Sequence, residues 1–310
     1  MSVGLAEMLP AVVFEEATIA ELFIEYLWSD LKARRYALSL WPEDLAPALG
    51  VDLARILLCE YEDVGDVPWR YAKELPAMRA YIAGHPGDPY EVPSEYISEL
   101  AAMEAFVATE AQRLTTTAAA EGNTVTLNAA ADQEAFIDRY PGAHTFDGIP
   151  YPVALHYVAV GRAAAELRRR GRDVEVFKGD RRFDLPAARF ALGLGKAQTA
   201  DLLGSHEKTY YKNERGVNPP PPVPMKELQR MDDFIASLVG ELEISTEDGA
   251  SVVWIHDDQA AFERAYPNAV IERSGKPYPV RTMWVAAALR AGALQSAGGG
   301  PVCIAVIAED

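Results

Sequence analysis

The chain repeats itself, which constrains its architecture more than any other feature: a fold open to the first copy must also be open to the second. Residues 30–60 (DLKARRYALSLWPEDLAPALGVDLARILLCE) align without a gap on residues 184–214 (DLPAARFALGLGKAQTADLLGSHEKTYYKNE), with 11 of 31 positions identical. The identities include Asp30/Asp184, Leu31/Leu185, Arg35/Arg189, Leu49/Leu203, Gly50/Gly204 and Glu60/Glu214. Further on, ADQEAFIDRYPGA (131–143) matches DDQAAFERAYPNA (257–269), and Tyr151-Pro152-Val153 matches Tyr278-Pro279-Val280. Two copies of a two-part unit follow, each a helical head and a mixed tail.

The expected fold class is therefore α+β and mainly helical. Two helix-turn-helix heads are each followed by a small βαβαβ tail, and the halves form an intramolecular pseudodimer. An N-terminal helical extension (1–28) carries an apolar stripe of Phe14, Ile19, Leu22, Phe23, Tyr26 and Leu27. Then come head A (29–62), a helical connector (63–121) and tail A (122–180). Head B (184–217), a proline-rich elbow with a helix (218–249) and tail B (250–310) complete the chain. The connector in the first copy holds an amphipathic helix (Tyr96, Leu100, Met103, Phe106, Val107) that reads as an extra element, whereas Met225 to Leu242 suffices in the second. In each tail the pattern predicts a middle strand, at Ala143–Phe146 and Val270–Arg273. The last strand, PVCIAVI, is apolar throughout, so it needs both faces covered or its edge paired; tail-on-tail packing would do this.

Head B is the informative part. The spacing predicts a helix from Leu185, a short helix over Lys196–Leu203, a turn at Gly204-Ser205 and a third helix over His206–Arg215. Ser205 is placed to cap that helix and Gly216 to end it in the left-handed conformation. On its free face, at i, i+3, i+4 and i+7, stand Lys208, Tyr211, Lys212 and Arg215, while His206, Tyr210 and Asn213 turn inward or to the flank. Three cations and a phenol on one stripe suit phosphates and base edges in a major groove. Gln198 on the second helix and Ser205 in the turn complete the candidate DNA-binding set.

Charge bears on this reading in two ways. The whole chain carries −17, which repels a polyphosphate. Between Arg162 and Arg215, however, 13 basic residues face 8 acidic ones, so that segment is +5 and the remainder −22. Head A departs from the pattern: its residues at the reading positions are Ala54, Leu57 and Leu58, followed by Tyr61, and residues 29–62 carry 4 bases against 6 acids. Such a stripe cannot hydrogen-bond a base edge, so head A is expected to use it for packing or for a partner.

The run Gln198-Thr199-Ala200-Asp201-Leu202-Leu203-Gly204, a third helix ending Asn213-Glu214-Arg215-Gly216, and the tail VWIHDDQAAFERAYPNAVIE resemble the helix-turn-helix regulators that include the anti-CRISPR-associated repressors and their YdiL-like relatives. The most specific part is Asp258-x-x-x-Phe262-x-x-x-Tyr266-Pro267. The resemblance covers both halves, clearly in the second and weakly in the first. It implies one head and one tail per unit, dimerisation through the tails and binding to inverted-repeat operators. It also implies operator-reading roles for Lys208, Tyr211 and Lys212 and a buried role for Tyr210; Asn213 stands where the family usually has Trp.

Other motifs carry less. Gly193-Leu194-Gly195-Lys196 lacks the upstream glycine and the following Ser or Thr of a phosphate loop. His256-Asp257-Asp258 has no further ligand at metal spacing, and Asp258 suits a helix cap. His144 and His156 read as packing residues, and Asn218 to Pro224 (NPPPPVP) as a stiff elbow. No nucleophile, base and oxyanion donors converge, so no enzyme is expected, and no cofactor or metal. With 49% apolar residues and a mean hydropathy of −0.07 there is ample core material, but no apolar run long enough to span a bilayer. The only cysteines, Cys59 and Cys303, give no disulfide framework. The expectation is a cytoplasmic transcription regulator, a repressor, that binds double-stranded operator DNA through head B and dimerises through its tails. The alternative is an acidic protein-interaction module descended from a repressor.

Overall fold

Short helices open each copy because each is closed off by local chemistry. The computed structural model describes residues 26–61, 63–85, 87–119, 124–247, 249–298 and 300–307. The apolar positions Phe14, Ile19, Leu22 and Phe23 of the N-terminal extension lie outside them. Helices α1 (Trp28–Ala37), α2 (Pro42–Ala48) and α3 (Leu53–Glu60) come first, then two 3-10 turns, α4 (Leu75–Gly84) and the long α5 (Ser94–Ala119). Next are β1 (Thr124–Ala129), α6 (Gln133–Arg139), α7 (Ala154–Arg169), β2 (Asp173–Lys178) and β3 (Arg181–Arg182). The second half runs α8 (Asp184–Ala191), α9 (Lys196–Leu202), α10 (Glu207–Glu214), α11 (Pro222–Glu241), β4 (Ile244–Glu247), β5 (Ala250–Ile255), α12 (Gln259–Ala265), α13 (Arg281–Ser296) and β6 (Val302–Val306). The molecule is thus mainly helical, with two three-stranded sheets, β1-β2-β3 and β4-β5-β6. No described helix is long and apolar enough to cross a membrane.

Proline and aspartate set several helix starts. Pro42 sits in the first turn of α2, where no N–H is needed, and the Asp44 carboxylate accepts from Trp41 N at 3.0 Å. Asp132 caps α6 by accepting from Ala135 N at 2.9 Å, and Asp258 caps α12 by accepting from Ala260 N and Ala261 N. The polyproline stretch delivers the chain directly into α11, which begins at Pro222.

Contacts that recur at repeat-related positions tie the sequence repeat to the packing. Gln133 donates to Tyr151 O (2.8 Å) and accepts from Val153 N (2.8 Å); Gln259 donates to Tyr278 O (2.9 Å) and accepts from Val280 N (2.8 Å). Phe106 of α5 packs on Phe136, Tyr140 and Tyr151, and Phe234 of α11 on Phe262, Tyr266 and Tyr278. Helix α5 is therefore the counterpart of α11 and not an extra element; what the first half adds is the stretch from the 3-10 turns to α4.

Two further expectations are corrected. The middle segment of each tail does not join a sheet: it makes only the single bridges His144–Pro150 and Val270–Pro277. Proline offers no N–H to extend a ladder, and glycines at positive φ, Gly148 and Gly275, fold each segment back on itself. Each tail thus reads strand, helix, bridged turn, helix, strand, with β1 parallel to β2 and β5 parallel to β6. Nor is the edge of β6 closed by the other tail. The first helix of head A covers it: Ser29 Oγ donates to Ile304 O (2.6 Å) and Asp30 accepts from Ile304 N (2.9 Å). In the same way Asp184, on the first helix of head B, accepts from Val176 N in β2 (3.0 Å). Helix α1 packs on α13 and β6 of the second half, and α8 packs on α7 and β2 of the first. The first helix of each head is thus built into the opposite tail, while the second and third helices pack in the core of their own tail.

Candidate nucleic-acid interface

The inner side of α10 is fixed by a buried polar lock. Tyr210 is buried, and its hydroxyl donates to Glu214 Oε1 at 2.9 Å. The same oxygen receives Arg189 Nε at 2.7 Å, and Arg189 also donates to Leu194 O at 2.8 Å. Burial and the Glu214 carboxylate push the Tyr210 phenol above its ordinary range. Head A keeps the same lock, with Arg35 paired to Glu60 and donating to Leu40 O at 2.8 Å. A buried pair of this kind holds geometry by penalising its own disruption, since removing one partner strands a charge.

With the inner side fixed, the outer side of α10 is determined. Lys208, Tyr211, Lys212 and Arg215 are all exposed, and none of their side chains makes an ion pair or hydrogen bond among the described residues. Gly216 has φ 69°, as a left-handed terminator requires. The cap is not Ser205 as expected but His206, whose Nδ1 accepts from Lys208 N at 3.3 Å; the turn is one residue longer than the spacing suggested. Ser205 lies half-buried in that turn, its backbone N–H bonded to Ala200 O at 2.8 Å. Gln198 is half-buried on α9 and accepts from Arg281 at 3.4 Å, so it stands apart from the free stripe.

Most of the basic segment is consumed internally. Arg168 pairs with Asp184, Arg169 with Asp232, Arg170 with Glu166, Arg182 with Glu175 and Asp184, and Arg189 with Glu214. Arg162 donates to Ala37 O at 2.6 Å, and burial lowers it to about 10. The +5 of the sequence is therefore no broad positive surface. Among the described residues, the exposed cations of this segment left unpaired are few: Lys208, Lys212 and Arg215 on α10, and Arg181, whose neighbour Arg182 bonds to Gly216 at the C-terminal end of α10. Arg172, half-buried, is also without a partner, and outside the segment Arg273 stands exposed next to Ser274, which bonds to Leu202 ahead of α10. Arg181 comes from β3 and Arg273 from a turn far along the chain, both outside the spacing pattern of head B.

Head A presents the opposite surface. Ala54, Leu57 and Leu58, at the positions of Lys208, Tyr211 and Lys212, are buried under Tyr71 and Met78 together with Val64, Val67, Leu75 and Ile82. The chain covers this apolar face with its own added segment, which removes it as a surface for a partner. Elsewhere in the first half a groove of about 1030 Å³ lies beside the head A turn, lined by Glu95, Glu99, Phe146 and Asp147 among others. Phe146 is 97% exposed there.

No protein-family model, curated protein or solved structure matches the chain.

Proposed function

We propose that the chain is a sequence-specific DNA-binding transcription regulator, a repressor, that reads duplex DNA through α10, and that its halves form a tandem pseudodimer in which only the second head reads. The observation that carries this is the contrast between two helices at equivalent positions. The outer face of α10 is exposed, cationic and unpaired, and that of α3 is apolar and covered by its own chain. A helix held by an inner ion pair, with three free cations and a phenol outward, fits phosphates and base edges. The resemblance to helix-turn-helix repressors points the same way.

The test is a binding titration of the full chain against its own upstream DNA between 50 and 200 mM salt. Lys208→Ala/Lys212→Ala should weaken binding, and Lys212→Ala alone should lower the log–log salt slope by about one unit. An affinity that does not change with salt overturns the reading. The rival, an acidic module that binds a protein partner, now rests on the acid-lined groove with Phe146. It predicts that Phe146→Ser abolishes partner capture while the α10 variants leave it intact.

A further inference from the structure

Two cations outside head B stand at the two ends of α10, and we propose that Arg181 and Arg273 grip the sugar-phosphate backbones on either side of the DNA groove that α10 enters. This rests on the DNA reading above and assigns contacts to residues from the β2–β3 hairpin and from tail B.

At the C-terminal end, β2 and β3 form a hairpin. Lys178 pairs with Arg181 and Phe177 with Arg182, across a two-residue turn in which Gly179 has φ 62°. The Arg182 N–H donates to Gly216 O at 3.0 Å, so the hairpin is bonded to the residue that ends α10. A Cβ on Gly216 would stand 1.9 Å from Arg182 O, so only glycine allows this approach. The Arg182 side chain turns back to Glu175 (2.6 Å) and Asp184 (2.8 Å). Successive strand side chains alternate, so Arg181 points to the other face of the hairpin from Arg182, and it is exposed, one residue from the bond to Gly216.

At the N-terminal end, the turn after the Val270 bridge docks on the helix-turn-helix turn. Ser274 Oγ donates to Leu202 O (2.6 Å), Lys276 pairs with Asp201 (2.6 Å), and a Cβ on Gly204 would lie 3.4 Å from Ser274 Cβ. Arg273 projects from this turn, exposed and with no ion pair among the described residues. The carboxylate before it, Glu272, is held by Arg230. A helix the length of α10 is about 12 Å long, short enough that residues just beyond its ends stay within reach of the backbones bordering the groove it lies in. Cations just beyond its two ends therefore fall near the two backbones that border the groove. The corresponding turn in the first half carries Phe146 and Asp147 and no cation, in step with the loss of a reading face on α3.

The experiment compares Arg181→Ala, Arg273→Ala and the double variant of the full chain, by fluorescence anisotropy, on a duplex selected by the wild type and on a scrambled one, at several salt concentrations. Each single change should weaken both complexes by roughly three- to tenfold and lower the salt slope by about one unit, leaving the preference between duplexes unchanged. The double variant should lose about two units, and Arg181→Lys should retain most of the slope. Asp180→Asn, at the hairpin tip, should tighten binding. Salt slopes unchanged in both single variants while Lys212→Ala lowers its own would overturn the clamp and leave the reading helix standing. A wild type that binds neither duplex overturns the DNA reading itself and the clamp with it.

Discussion

Asp30 and Asp184 occupy equivalent places in the repeat and do the same structural work, each accepting a backbone N–H from a strand of the opposite tail. Their surroundings differ. Asp184 also receives Arg168 (3.2 Å) and Arg182 (2.8 Å). Asp30 has Arg34 only at 3.9 Å, because Arg34 is drawn to Glu104 at 2.6 Å, and Asp30 Oδ2 has no partner. Burial pushes the Asp30 carboxyl from 3.8 up to about 7. The folded chain therefore holds a proton there that the unfolded chain releases above about pH 4. Stability from this group is complete below that pH and falls as pH rises toward 7. Asp30→Asn keeps an oxygen acceptor for Ile304 N–H and removes the titration. Denaturant unfolding at pH 5 and pH 7.5 should give a smaller difference for the variant than for the wild type. Glu110 has the opposite sign: hydrogen bonds from Arg113, His156 and Tyr140 outweigh its burial and lower it to about 2, so its stabilisation is lost only as pH falls below about 4.5. It does not interfere in the window that tests Asp30.

Among the elements, the turn between the first two helices of each head shows how one backbone can serve two side chains. Ser39 has φ 54° and its repeat partner Gly193 has φ 65°. At Gly193 a Cβ would stand 2.4 Å from the Tyr36 carbonyl oxygen, because the head B turn lies against the end of α1. Ser39→Gly relieves left-handed strain but adds chain entropy to the unfolded state, so it should change stability by less than about 1 kcal/mol. Gly193→Ser adds both strain and a backbone collision and should cost at least about 2 kcal/mol. Thermal or urea unfolding of the two variants measures this asymmetry. The same elements mark what could be read in advance. The three helices of each head follow from apolar spacing, Pro42 and the glycine turns, all local signals. The failed middle strands followed a local signal too, but a four-residue stretch with two apolar residues says nothing about whether a neighbouring strand is there to pair.

For the whole molecule, the packing of each head's first helix into the opposite tail bears on how many duplexes one chain would hold if the proposed reading is right. Helix α1 is built into the second tail and α8 into the first, so neither head can separate without exposing a strand edge. With α3 covered, the proposed DNA reading would fall to one head. We expect one chain to saturate a duplex carrying a single half-site. Adding a second half-site about one helical turn (10 bp) away should not tighten binding by a single chain. Sedimentation of the complex and the titration breakpoint measure this, and a selected consensus should lack dyad symmetry.

The sequence by itself determined the repeat, the helical heads, the cap at Asp258, the inward Tyr210 and the outward stripe of Lys208, Tyr211, Lys212 and Arg215, because periodicity, capping and identity at matched positions are properties of nearby residues. The tertiary structure decided which charges remain free and which faces remain open. Ion pairs such as Arg169–Asp232 and Arg189–Glu214 join residues far apart in the chain and reduce a basic segment to a narrow patch. The cover over Leu57 and Leu58, and the hairpin and turn that bring Arg181 and Arg273 to the ends of α10, likewise depend on where distant segments meet. A cation count cannot show which guanidinium groups already have a carboxylate, since that is fixed only when the chain closes on itself.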